Sequence, residues 1–145
     1  KVSFEGEAAM RLETLARRFF NKHGIPETLD NMISRQAFQP AGTSISIKPV
    51  LQSLLFGLQQ GENTESLAAR WHLLLVQMIE SIALRMEIRS LAFSGGVFQN
   101  SVLIDLLVYY LKPRFKLYFH DQLSPNDECI SYGQLAAART KIFHY

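Results

Sequence analysis

The run Ser94-Gly95-Gly96-Val97-Phe98-Gln99-Asn100 holds the residue types best placed to do chemistry in this chain. It follows an apolar stretch, 88–93, and precedes Val102, Leu103, Leu106, Leu107 and Tyr110 at helical spacing. A strand, two glycines and a helix start are the parts of a phosphate cradle. Glycine has no Cβ, so a ligand can come close to the backbone. A helix start offers unpaired N–H groups and about half a positive charge from the aligned peptide dipoles. Together these would hold an anion with no cationic side chain. The same residues also suit a plain strand-to-helix turn, and residue type alone does not choose between the two.

A second polar loop, Ser124-Pro125-Asn126-Asp127, precedes a last helical segment. Asp127 brings a carboxylate to that loop. His23, His72, His120 and His144 are scattered, with no His-x-x-x-His pair. His23 reads as a helix-end residue, His72 as a packing or hydrogen-bonding residue, and its neighbour Trp71 as core. Cys129 is the one cysteine, which excludes an internal disulfide and a cysteine-rich zinc site. It reads as an ordinary small side chain, and its reduced state fits a cytoplasmic compartment without requiring one.

The elements that must position these residues follow from periodicity. A helix is predicted over 5–22, with Ala8, Leu12, Leu15, Ala16, Phe19 and Phe20 on one stripe, stopped by Gly24 and Pro26. Two short strands are predicted at 32–38 and 44–47. Helices are predicted after Pro49 and over 64–86, the second capped by Asn63 or Thr64. The last third reads as buried strand 88–93, helix 97–111, strand 115–119 and helix 130–143. That order implies a parallel pair with a right-handed crossover. Ligands of open α/β sheets bind beyond the carboxyl ends of such strands, where the Gly95-Gly96 turn and the Asp127 loop both lie.

The 145 residues suit one domain, and with 48% hydrophobic residues a packed core is expected. A net charge of +2 and the lack of a basic run interleaved with aromatics argue against nucleic acid; Arg17-Arg18 reads as a solvated helix face. No apolar stretch is expected to reach the ~20 residues of a membrane span. The first residue, Lys1, is not an initiator Met, so a piece of a longer chain is expected.

Three segments together resemble one family: Phe4-Glu5-Gly6-Glu7-Ala8-Ala9-Met10-Arg11-Leu12-Glu13, the 94–100 motif, and Pro125-Asn126-Asp127 with Ile130-Ser131-Tyr132-Gly133-Gln134. In order and spacing they are similar to the C-terminal part of the hydrogenase maturation carbamoyltransferases, the HypF family. Ala69-Arg70-Trp71-His72 is similar to a looser family pattern. The transfer-RNA threonylcarbamoyl transferases are a more distant likeness. The resemblance implies an α/β fold: one lobe of an actin- or hexokinase-like (ribonuclease H-like) ATPase, with a mixed sheet flanked by helices. Residues 1–145 would then be the C-terminal part of a Kae1-like carbamoyltransferase domain.

The resemblance also implies a role. Relatives make a carbamoyl-adenylate from carbamoyl phosphate and ATP in one domain. A second domain passes the carbamoyl group to the C-terminal cysteine of a HypE-like partner during [NiFe] hydrogenase maturation. Here Gly95 and Gly96 would meet the phosphate side of the adenylate through backbone N–H groups, and Asn100, one turn into its helix, would bond the nucleoside. Glu5 and Gly6 would lie near the ribose, although Glu5 equally suits a helix-start charge. Asp127 would be a ligand to a divalent metal, iron or zinc, whose other ligands lie in a His-rich motif upstream that this sequence lacks. A missing lobe and an adenylating domain would be partners; no nucleic acid and no membrane are implied. Glu128-Cys129 departs from the family's Gly-Gly after Asn-Asp, placing two side chains where close backbone approach is expected. Two alternatives stand beside the transferase: an actin-like binding or structural module that has lost its ligand, and a threonylcarbamoyl transferase fragment. The lone lobe is expected to be inactive.

Overall fold

The structure, a computed structural model, describes residues 3–29 and 46–142. Its elements run α1 (Glu7–His23), α2 (Lys48–Gln59), α3 (Thr64–Arg85), β1 (Ser90–Ala92), a 3-10 turn (Gly96–Gln99), α4 (Ser101–Leu111), β2 (Lys116–Tyr118) and α5 (Glu128–Ile142).

α3 forms the centre. Asn63 caps it, its Oδ1 accepting from the Glu65 N–H at 2.7 Å, while Glu65 and Arg85 complement the dipole at either end. α1, α2 and α4 all lie against it. Ala68, Leu73, Leu74 and Val76 of α3 meet Ala16 of α1, Val50 of α2 and Leu103, Leu106, Leu107 and Leu111 of α4 in one buried cluster. By length and hydropathy α3 does reach the size of a membrane span, which corrects the expectation that no stretch would. Many of its apolar residues are spent on the core, Leu73, Leu74 and Val76 among them, and even His72 and Gln77 are buried, while Leu84 near its end is exposed.

α1 is flanked by two glycines with positive φ, Gly6 before it, left-handed at φ 83°, and Gly24 after it, at φ 77° and ψ 173°, whose N–H closes on Phe20 O at 2.8 Å. α2 begins at Ile47 with Pro49 in its first turn. Ile47 therefore enters a helix rather than ending the strand predicted at 44–47, and Ser46 is not in a strand; strand 32–38 and residues 44–45 lie outside the described residues.

β1 and β2 pair in parallel, with Ser90 opposite Lys116, Leu91 opposite Leu117 and Ala92 opposite Tyr118. The crossover between them is α4, as the strand–helix–strand order required. The strand predicted as buried over 88–93 is shorter and half-open: Leu91 is half-buried, while Ser90 and Ala92 are exposed. Successive side chains point to opposite faces, and in both strands the central residue is half-buried while its neighbours are exposed. What is described is an α/β arrangement with a two-stranded parallel sheet flanked by helices; the mixed sheet is not seen among these residues.

Candidate functional site

The carboxyl ends of β1 and β2 place the two singled-out loops together. Phe93 leaves β1 with its N–H on Tyr118 O at 2.9 Å, and its ring stacks on Phe119 with centroids 4.9 Å apart. Phe98 also packs against the Phe93 ring, with centroids 5.1 Å apart, and so pins the 3-10 turn to the sheet. Gly95, at φ 106° and ψ 159°, lies where only glycine is at ease. Its N–H donates to Pro125 O at 2.6 Å, and the Gln99 amide donates to Ser124 Oγ at 3.1 Å. The Asp127 loop is thus clamped onto the glycine turn, as the shared strand ends predicted.

That clamp changes which amides face outward. The Gly95 N–H is consumed internally. The N–H groups of Gly96 and Val97, at the open end of the 3-10 turn, have no partner among the described residues. A Cβ built on Gly96 would meet nothing within 4 Å, so no internal packing explains glycine there; the space in front of it is open.

The helix expected over 97–111 is broken in two, and Asn100 stands at the break. It is extended, at φ −73° and ψ 104°, and acts as N-cap of α4 instead of lying one turn inside it. Asparagine competes well for caps because its side chain replaces a missing backbone partner. Asn100 Oδ1 accepts from the Leu103 N–H at 2.9 Å. Its amide nitrogen lies 2.9 Å from His72 Nε2, while His72 Nδ1 lies 2.8 Å from Ala68 O. A carbonyl only accepts, so Nδ1 carries the proton and Nε2 accepts from Asn100. His72 is thereby a buried strut, in line with the hydrogen-bonding role read from sequence. Burial holds it below the ordinary histidine value, outweighing the Ala68 bond, the Glu13 charge and the Asn100 bond.

The α4 N-terminus, expected to receive an external anion, already holds one. Glu13 of α1 accepts from the Ser101 N–H at 3.0 Å, from the Ser101 hydroxyl, and from Arg17 at 3.3 Å. Desolvation pushes Glu13 up, but the Ser101 hydroxyl, Arg17 and the Ser101 and Val102 amides prevail and keep it below the ordinary carboxylate range. Neither Glu13 nor His72 was legible as a site residue, since each partner is remote in the chain. The carboxylate seated on a helix start obeys a general rule, but nothing local signals which one.

Gly6 and Glu5 lie at the start of the helix that carries Glu13, about 10 Å along its axis. Glu5 is exposed, and no hydrogen bond joins either residue to the glycine turn. Glu7, one residue on, is the buried carboxylate: the Ser3 amide and hydroxyl, with Arg11, hold it below the ordinary range. Asp127 is exposed, its carbonyl accepting from the Ile130 N–H at 3.1 Å. Among the described residues no three His, Cys, Asp or Glu side chains converge as a metal site, so Asp127 stands as a single carboxylate. α5 begins at Glu128, two residues earlier than predicted, because Asn126 Oδ1 caps the Glu128 N–H at 3.1 Å.

Comparison with known proteins gives one answer. Residues 1–134 match the family model described as the second subdomain of the carbamoyltransferase Kae1-like domain. A carbamoyltransferase HypF from Synechocystis sp. is 30% identical over 138 residues, which is 94% of this chain and 17% of the relative. A crystal structure of full-length HypF in the phosphate- and nucleotide-bound form superposes with TM-score 0.74 at 25% identity, covering all of this chain and 22% of that one. The T. kodakarensis HypF structure shares the fold, with TM-score 0.65 at 19% identity over 95% of this chain and 17% of its own. The chain therefore spans about a fifth of the length of the relatives it matches.

Proposed function

The chain belongs to the HypF carbamoyltransferase family, as the second subdomain of the Kae1-like domain, and from that membership we propose that it is the nucleotide-binding lobe of a cytoplasmic carbamoyltransferase. The observation that carries this reading is the glycine turn: two exposed residues, Gly96 and Val97, whose N–H groups have no partner among the described residues, at the carboxyl edge of a parallel pair. Those amides would take the phosphate oxygens of ATP or carbamoyl-adenylate. The second amide hydrogen of Asn100, not used by His72, would bond the nucleoside. Glu5 and Gly6 would flank the ribose, whose hydroxyl protons a carboxylate accepts. A divalent metal, iron or zinc, would need ligands beyond Asp127 from elsewhere in the full protein. The carbamoyl group would go to the C-terminal cysteine of a HypE-like partner in [NiFe] hydrogenase maturation. The missing lobe and an adenylating domain would complete the enzyme, and this chain alone would not turn over.

A second reading has its own support. The Gly95 amide and the α4 N-terminus are both occupied internally, and Glu128 brings a carboxylate to the first turn of α5. A binding module with weakened anion affinity has the same features. The family match leaves the threonylcarbamoyl transferase reading without support of its own.

Calorimetry with ATP or a non-hydrolysable analogue tests the proposal. The lone chain is expected to bind at about millimolar strength, and Gly96→Asp, which sets a carboxylate before the free amides, to abolish binding. Submicromolar binding indifferent to Gly96→Asp would place the site elsewhere. No binding by the lone chain, nor by the chain joined to its missing lobe, would favour the module.

A further inference from the structure

The cysteine does not stand alone. Ser94 follows the buried Phe93 at the end of β1, His120 lies just past β2, and Cys129 sits in the first turn of α5. These three elements converge at the rim of the glycine turn. Ser94 Oγ is 2.9 Å from His120 Nε2 and 3.7 Å from Cys129 Sγ. A serine hydroxyl has one proton to give and lone pairs to receive another. With Nε2 of His120 unprotonated, Sγ–H to Oγ–H to Nε2 is a path that can carry a proton from thiol to imidazole. Cys129 is half-buried and Ser94 exposed, so a small reagent can reach the sulfur. Ser94 leads directly into Gly95-Gly96, which brings the unpartnered Gly96 and Val97 amides within two and three residues of the relay. A nucleophile, a base reached through a hydroxyl, and backbone donors for an oxyanion are the parts of an acyl-transfer site.

We propose that Cys129 is a covalent acceptor for a carbamoyl-type carbonyl carbon, with Ser94 relaying its proton to His120. The proposal rests on the nucleotide reading for its source of carbamoyl groups. With a carbamoyl-adenylate, Sγ bonds to the carbonyl carbon and the carbon–oxygen bond to the phosphate breaks. AMP leaves with the electron pair, and the thiol proton ends on His120 Nε2. The product is an S-carbamoyl cysteine.

The test needs no nucleotide. Isocyanic acid, supplied as potassium cyanate, adds to a thiol without a leaving group: sulfur bonds to carbon, the carbon–nitrogen π bond opens, and nitrogen takes the proton. Peptide mass mapping then times S-carbamoylation of Cys129 at neutral pH in the native chain and in the same chain in urea. The native rate is expected to exceed the unfolded rate by about tenfold, since the relay takes up the thiol proton as the sulfur attacks. Ser94→Ala and His120→Asn should each return it to within about twofold of the unfolded rate. His120→Gln serves where His120→Asn loses its circular dichroism or thermal midpoint. A native rate no faster than the unfolded one overturns the proposal, as does full reactivity in a folded variant lacking the imidazole. Repeating the native measurement with ATP separates the two readings. Protection by ATP supports both. Fast reaction without protection upholds the thiol relay and counts against the nucleotide site.

Discussion

At the residue scale the two adjacent glycines do different work. Gly95 holds a backbone conformation that a side chain resists, while Gly96 does not: its φ is ordinary and its missing Cβ would face open space. Gly95→Ala is therefore expected to cost about 1–3 kcal/mol of folding free energy. Gly96→Ala should change stability by less than about 0.5 kcal/mol, as a surface substitution does. Urea denaturation of the two variants checks this, and equal losses would mean that Gly96 has an internal role. The pair was visible in the sequence because glycine identity is itself a backbone signal. So was the meeting of the two loops, which follows from strand order. The supports were not visible. His72 meets Asn100 across 28 residues, and Glu13 meets Ser101 across 88. Each looked locally like an ordinary helical residue, because the property that matters, the partner, is supplied by tertiary packing.

At the element scale, the start of α4 is the joint on which the site depends. Asn100 caps it from within, His72 braces the cap from α3, and Glu13 neutralises its dipole from α1. The helix boundary was misplaced in the sequence reading because Val97 and Phe98 continue the apolar pattern into α4. Phe98 is instead held by the Phe93 ring, which leaves Asn100 free to cap. The joint should titrate. His72 is kept neutral in the fold and its value is lowered, so the unfolded chain binds the proton first. Its contribution is complete above the ordinary value of about 6.5 and is lost as pH falls below that toward the folded value. Glu13 is also lowered, so its contribution is present above 4.5 and is lost as pH falls through its folded value. The urea midpoint is expected to drop in two stages on acidification. His72→Gln should flatten the upper stage and Glu13→Gln should reduce the lower, to which Glu7 also contributes. A midpoint unchanged from about pH 7.5 to about pH 5.5 in the native chain would contradict the buried neutral strut.

At the scale of the whole molecule, stability is concentrated on one side. α3 and α4 supply most of the buried side chains, with Leu73, Leu103, Leu106, Leu107 and Leu111 wholly enclosed. α5 buries none of its described residues: Ile130, Tyr132 and Leu135 are 55%, 61% and 72% exposed. Burial of apolar surface is the main source of folding free energy, about 25 cal/mol per Å², so α5 draws little from the rest of the protein. A helix of 15 residues with few tertiary contacts is marginal in water. Gly133, Ala137 and Ala138, small enough for close packing, are exposed. Periodicity reports that a helix can form but not what lies beside it. Hydrogen exchange should therefore divide the chain. Amides of α3 and α4 are expected to exchange only through global opening, and those of α5 far faster, through local unfolding. Because Asp127 and Cys129 sit at the root of α5, that local opening would loosen the outer wall of the site while the glycine turn stays fixed to β1. Protection of α5 equal to that of α3, in a chain that sediments as a monomer, would show that this helix is held by contacts other than those described.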